Sequence, residues 1–150
     1  MTETRQFIPV AGLLGTIAFA TYMVVQLQAQ GPVTSSDFTN AGGAEVRDAQ
    51  GQALLTGSFA PADEEDDDIE RKARLEPTGV DTDAAGEAEV EFARAAPAEQ
   101  EVEFSVRNLE PNTAITFVID GVEVSMATTD RRGRAEIELD IPIPGTGAAR

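Results

Sequence analysis

AITFVIDGVEVSMAT, residues 114–128, decides the fold. Apolar side chains alternate with others on both sides of Asp120-Gly121. Period two is the mark of a strand with one buried face. Asp-Gly between two such runs is a two-residue hairpin turn of the primed type, because both central residues need positive φ. That turn sets Ile119 opposite Val122, Phe117 opposite Val124 and Ile115 opposite Met126, so all six fall on one face.

The alternation continues outward. Towards the C-terminus, Asp130-Arg131-Arg132-Gly133 reads as the next hairpin turn, setting Met126 opposite Ile137 and Val124 opposite Leu139 within residues 134–141. Towards the N-terminus, Pro111-Asn112 marks a turn back to 101–109, whose inward set is Val102, Phe104 and Val106. Before it, 86–92 turns Ala88, Val90 and Phe92 inward. Agreement between turns and apolar faces predicts an antiparallel meander over Gly86–Ile143. A one-faced sheet needs a cover. A hairpin of Ala44–Asp48 and Ala53–Phe59 around Ala49-Gln50-Gly51, with a short strand Arg71–Leu75, supplies it. The expected class is all-β, a sandwich or flattened barrel, with no long helix after residue 44.

Ahead of the domain, Phe7–Val25 reads FIPVAGLLGTIAFATYMVV, and no charged residue stands between Gln6 and Ser36. This predicts an apolar N-terminal helix in residues 1–29. Two readings stay open. A cleaved signal peptide would be cut after Leu27-Gln28-Ala29. An uncleaved anchor would use the same stretch, since about 20 apolar residues cross a bilayer. Either way the rest lies outside the cytoplasm, secreted, periplasmic or tethered to a membrane through this segment alone. Residues 30–43 (QGPVTSSDFTNAGG) read as a flexible tether to a single domain, 44–150.

Composition limits the chemistry. Eleven basic and 27 acidic residues give a net charge of −16, which excludes phosphate-backbone binding. It favours solubility and contact with cations or basic surfaces. Lys72 is the single lysine, a bias that fits a GC-rich genome or a salty habitat. There is no Cys, His or Trp, and the one tyrosine, Tyr22, lies in the apolar segment. The domain thus lacks thiol, imidazole and phenol, the groups that do most nucleophilic and acid–base work near neutral pH. Paired carboxylates can hydrolyse glycosides, but that site needs an aromatic-walled cleft, and only Phe is present.

Among acidic motifs, the run Asp63-Glu64-Glu65-Asp66-Asp67-Asp68 lies in an expected loop, 61–70. It reads first as a solvated loop. As a candidate Ca²⁺ site, Asp63, Glu64, Asp66, Asp67 and Asp68 would supply the oxygens that calcium needs, with Asp81 and Asp83 as further ligands. Asp81-Thr82-Asp83 opens like an EF-hand loop, but Ala85 and Phe92 stand where ligands are required. The outward Glu87, Glu89, Glu91, Glu101, Glu103, Glu123, Glu136 and Glu138 form a solvent face that blunts aggregation. Arg71, Arg74, Arg107 and Arg134 are expected as their cross-strand partners.

The stretches RKARLEPTGVDTDAAGEAEVEF (71–92), EVEFSVRNLEPNTAITFVIDGVEV (101–124) and ATTDRRGRAEIELD (127–140), with the hairpin AEVRDAQGQALLTGSF (44–59), resemble a family of uncharacterised exported β-domains of GC-rich bacteria. Asn108–Gly121 is also similar to fibronectin type III strands, though Ile115 stands near the place of that fold's tyrosine. The resemblance implies an extracytoplasmic β-domain and transfers no activity. The function expected is non-catalytic: protein–protein contact, including self-association through an edge strand, or a structural module. A Ca²⁺-responsive binder is the alternative, and a carboxylate hydrolase a distant third. Neither a cofactor nor nucleic acid is expected.

Overall fold

A computed structural model describes residues 33, 35–62, 68–95 and 97–145. The apolar segment expected as signal peptide or anchor lies outside the described residues, as do Asp63, Glu64, Asp66 and Asp67. No helix among the described residues is long and apolar enough to cross a membrane.

Eight strands form: β1 (Gly43–Asp48), β2 (Ala53–Ser58), β3 (Asp68–Pro77), β4 (Ala85–Ala93), β5 (Glu99–Arg107), β6 (Ala114–Ile119), β7 (Val122–Thr128) and β8 (Ala135–Pro142). They make one antiparallel sheet in the order β7-β6-β1-β2-β3-β4-β5-β8, curled into a nearly closed barrel. Only Leu55↔Pro77 and Thr56↔Glu76 join β2 to β3, so the barrel is flattened there into two layers of four strands. Phe104 of β5 and Phe117 of β6 meet between the layers, with ring centroids 4.8 Å apart. Both are fully buried in one continuous core, with Val46, Leu55, Leu75, Val90 and Val102 around them.

The inward sets expected for β4 and β5 are buried as read, and so are Ile115, Phe117 and Ile119 of β6. The Asp120-Gly121 turn has φ of 48° and 81°, the primed geometry expected of it. Its carboxylate also accepts hydrogen bonds from the N–H groups of Gly42 and Gly43, which fixes the start of β1.

Two parts of the expected meander are corrected. Ile119 does pair with Val122, but a bulge then shifts the register, and Phe117 faces Ser125 rather than Val124 while Ile115 faces Ala127 rather than Met126. A bulge sets two residues against one. Val124 and Ser125 are both buried in consequence, and Met126 is left 45% exposed.

The chain also changes layer where hairpins were expected. β5 is not paired with β6, nor β7 with β8; β6 pairs with β1 and β8 with β5. Turn 130–133 is held by Asp130, whose carboxylate accepts from the N–H groups of Arg132 and Arg134. Gly133 then docks on Leu109, whose N–H donates to the Gly133 carbonyl. A Cβ at Gly133 would stand 1.9 Å from the Leu109 oxygen, and its φ is +69°. That contact sends β8 to the far layer, where Ile137 faces Phe104 and Leu139 faces Val102. Alternation is satisfied equally by either neighbour, so it fixes a strand's face and not its partner.

The stretch expected as a tether is partly seated on the barrel. Phe38 and Ala41 belong to the core. Gln100, which β5 turns inward, accepts from the Phe38 N–H and donates to the Ser36 carbonyl.

Candidate functional site

The outer face of the β3-β4-β5-β8 layer carries the densest chemistry among the described residues. Strand register sets three rows across the four strands: Glu70–Glu91–Glu101–Asp140, Lys72–Glu89–Glu103–Glu138, and Arg74–Glu87–Ser105–Glu136. The rows hold four, three and two carboxylates, nine in all, against two cations. With strands about 4.8 Å apart and same-face residues about 6.8 Å apart, the grid is roughly 14 Å on each side. The sequence folds this way because each Glu alternates with a core residue, and any one-residue slip would carry a row of charge into the apolar interior.

Like charges directly opposite one another are destabilising, and in the grid they add to the effect of burial. Glu89 is pushed up to about 7, first by partial burial and then by the hydrogen bond it shares with Glu70, while Lys72 works against the shift. Glu103 is raised by partial burial, then by Glu136, Glu138 and Glu87. Glu101 is raised by desolvation, then by Glu138, Glu91 and Asp140. Lys72 bonds Glu70 and lies 3.3 Å from Glu89. Arg74 reaches Glu76 on its own strand, at 3.9 Å. The cations therefore sit at the β3 side, and the β5 and β8 columns carry carboxylates with a single Ser between them.

The acidic residues singled out as calcium ligands are not all brought together. Asp68 opens β3, whereas Asp81 and Asp83 lie in the turn beyond its far end. Ten residues of strand separate them by about 30 Å. Asp81 is raised by desolvation and by its close neighbour Asp83, with Glu110 contributing. No group of three or more His, Cys, Asp or Glu among the described residues is placed to hold a metal ion.

Glu123, expected in the outward ladder, lies on β7 in the other layer and is no part of the grid. Glu70 and Asp140 are part of it, although the ladder as read from the sequence omits both. Asp140 could have been found by continuing the alternation of 134–141 from Glu136 and Glu138. Arg71 is not a partner of the ladder either. It faces Val90 on the inner side of β3. Compared with protein-family models, curated proteins and solved structures, the chain matches none.

Proposed function

We propose that this chain is a non-catalytic, extracytoplasmic β-domain that works by protein–protein contact, through the acidic grid on the β3-β4-β5-β8 layer. The observation that carries the reading is the register alignment of nine carboxylates on one outward face. A face of one sign of charge speeds and orients encounter with an oppositely charged surface. Its partner is a protein surface rich in Arg and Lys, whose guanidinium groups pair with carboxylates in forks.

Export rests on the apolar run Phe7–Val25. The non-catalytic reading rests on composition: residues 30–150 contain no thiol, imidazole or phenol. Both edges of the open seam are blunted, β7 by its bulge and β8 by Glu136, Glu138, Asp140 and Pro142. Blunted edges favour contact through a face over strand addition.

The test uses a defined cationic probe, a ten-residue oligoarginine, titrated into the protein at several salt concentrations. A variant carrying Glu101→Gln, Glu103→Gln and Glu138→Gln is the comparison, since none of these side chains is ion-paired among the described residues. The reading expects affinity to fall steeply with salt and by about tenfold in the variant. Equal binding by both proteins would sink the grid as the contact face. A saturable hydrolase activity abolished by a single carboxylate substitution would sink the non-catalytic reading.

A further inference from the structure

A cleft of about 490 Å³ opens at the end of the barrel, where β3 leaves β2, with Asn40, Ile69, Arg71, Phe92 and Pro97 among its walls. Arg71 is an anomaly there. Its neighbours on the same face of β3, Ala73 and Leu75, are core residues, and Val90 opposite is fully buried. A cation turned to the inner face of a sheet needs partners. Nε of Arg71 donates to the Ala60 carbonyl at 3.3 Å and Nη1 to the Thr39 carbonyl at 3.2 Å. The guanidinium carbon stands 5.9 Å from the centre of the Phe59 ring.

Two neutral carbonyls use two of the five N–H donors of a guanidinium. The Nη2 protons and the second Nη1 proton have no partner among the described residues. No ion pair joins Arg71 to a carboxylate among the described residues, although Arg47 and Arg74 each have one and Lys72 has two. The two carbonyls and the aromatic ring set where the group lies, with its outer fork left to the cleft wall. A fixed planar fork is the geometry that binds carboxylate through two parallel hydrogen bonds. Ile69, Phe92 and Pro97 give the same cleft an apolar lining.

We propose that this cleft binds a carboxylate carried on an apolar body, with the free edge of Arg71 taking the carboxylate and Ile69, Phe92 and Pro97 covering the body. A free organic acid and the C-terminus of a peptide share this chemistry. The site is separate from the acidic grid, which lies on the opposite face of β3.

Phenylacetate is titrated into the 150-residue chain in detergent micelles, following the Ile69 methyl and Phe92 ring signals by NMR. Phenylacetamide is the neutral control. A tripeptide ending in Phe, with free and with amidated C-terminus, separates the two sources. Because Asp63–Asp67 follow Ala62 of the cleft wall in sequence, the titrations are repeated with those five residues changed to Asn or Gln. Saturable shifts with phenylacetate or the free-acid peptide, at a Kd near about 1 mM, support the site in either background. Whichever binds tighter names the source. The amides should bind at least about fivefold more weakly. Arg71→Gln should weaken binding by a similar factor, and Asn40→Asp, which leaves Arg71 in place, by about threefold through like charge. Asn40→Asp decides the matter if Arg71→Gln does not fold. Amides that bind as well as acids, unchanged affinity in Asn40→Asp, or no saturable shift in either background would each overturn the proposal.

Discussion

The two layers of the barrel use the same alternation and obey it unequally. In the β3-β4-β5-β8 layer the strands run eight to ten residues, and the pairing through β4 and β5 is unbroken by any bulge. In the β7-β6-β1-β2 layer they run six or seven residues, with register shifts at Val46/Arg47 and at Phe117/Val118. The difference lies in what occupies the outward positions. Glu at every other residue makes a slip bury a carboxylate, at a cost of several kcal/mol. Thr56 of β2 and Thr116 of β6, outward in the second layer, carry no such penalty. The second layer's register can therefore yield to packing, and the price is a buried Ser125 hydroxyl without a partner among the described residues. Charge here acts as a register lock.

The layers meet at the Phe104–Phe117 contact. Phe104→Ala should cost about 3–5 kcal/mol in denaturant unfolding, because it deletes buried volume and leaves a cavity. It should do so in one transition; separate transitions for the two layers would show that they do not share a core. Gly133→Ala strikes the crossover that sends β8 to the acidic layer. Its Cβ would collide with the Leu109 backbone, and its φ is positive. A loss of about 2–3 kcal/mol is expected. A neutral result would mean that β8 finds β5 without that turn.

At Ser125 the sign reverses. Replacing the hydroxyl with a methyl hydrogen removes a buried polar group that has no partner among the described residues. Ser125→Ala should stabilise the protein by about 1 kcal/mol. Destabilisation would show that the hydroxyl is satisfied in solution and that the bulge has a polar purpose.

The acidic layer should reveal itself through pH. Glu89 moves from 4.5 to about 7 on folding, and Glu101 and Glu103 are raised as well. The folded state therefore holds more protons than the unfolded state across roughly pH 4.5–7, and stability falls as pH rises through that window. Asp37 and Asp130 shift the other way, lowered by the hydrogen bonds of Thr39 and of the Arg134 and Arg132 N–H groups, and Glu70 is lowered by Lys72. Their contribution is present above the ordinary carboxyl range and is lost only below it. Maximum stability should thus fall near about pH 4.5–5.5, with Tm on the order of 5 °C higher there than at pH 8. Added NaCl should recover most of the loss at pH 8 by screening, and Glu89→Gln should flatten the slope. A Tm that rises steadily from pH 5 to pH 8 would show that the grid is not under electrostatic strain.

The same contrast explains what could be read from the sequence. All eight strands were legible, because each carries its own alternation. So was the Asp120-Gly121 turn, whose geometry is local. Strand neighbours were not legible, since a face does not name a partner. The bulge was not, because nothing about Val124-Ser125 marks which of them faces inward. Arg71 was misplaced for a related reason: RKARL offers basic residues in both phases, and which phase is buried is set by Val90 and Ala88 across the strand. Nothing local marks Gln100 as buried, because its amide is tied to the backbone of Ser36 and Phe38, distant in sequence. The acidic grid was half legible. The outward Glu residues were found, but their alignment into rows depends on pairing that only the fold supplies.

The smallest effect expected is that of calcium, and it tests whether acidity here is a surface property or a site. On the grid, carboxylates on separate strands stand about 4.8 Å apart, face outward and hold no chelating loop, so a divalent ion gains mainly by screening. Asp68 and the Asp81–Asp83 pair are a strand's length apart, which leaves no shared ion between them. Millimolar Ca²⁺ and Mg²⁺ should therefore raise Tm equally, within about 1 °C, and by no more than NaCl of matched ionic strength beyond their double charge. Calcium needs six to eight oxygens in a flexible cage and magnesium keeps its water. A rise specific to Ca²⁺ and abolished by neutralising Asp63–Asp68 would accordingly relocate the functional acidity from the grid to that run. The two acidic regions would then have exchanged roles, the strand face serving solubility and the run serving recognition.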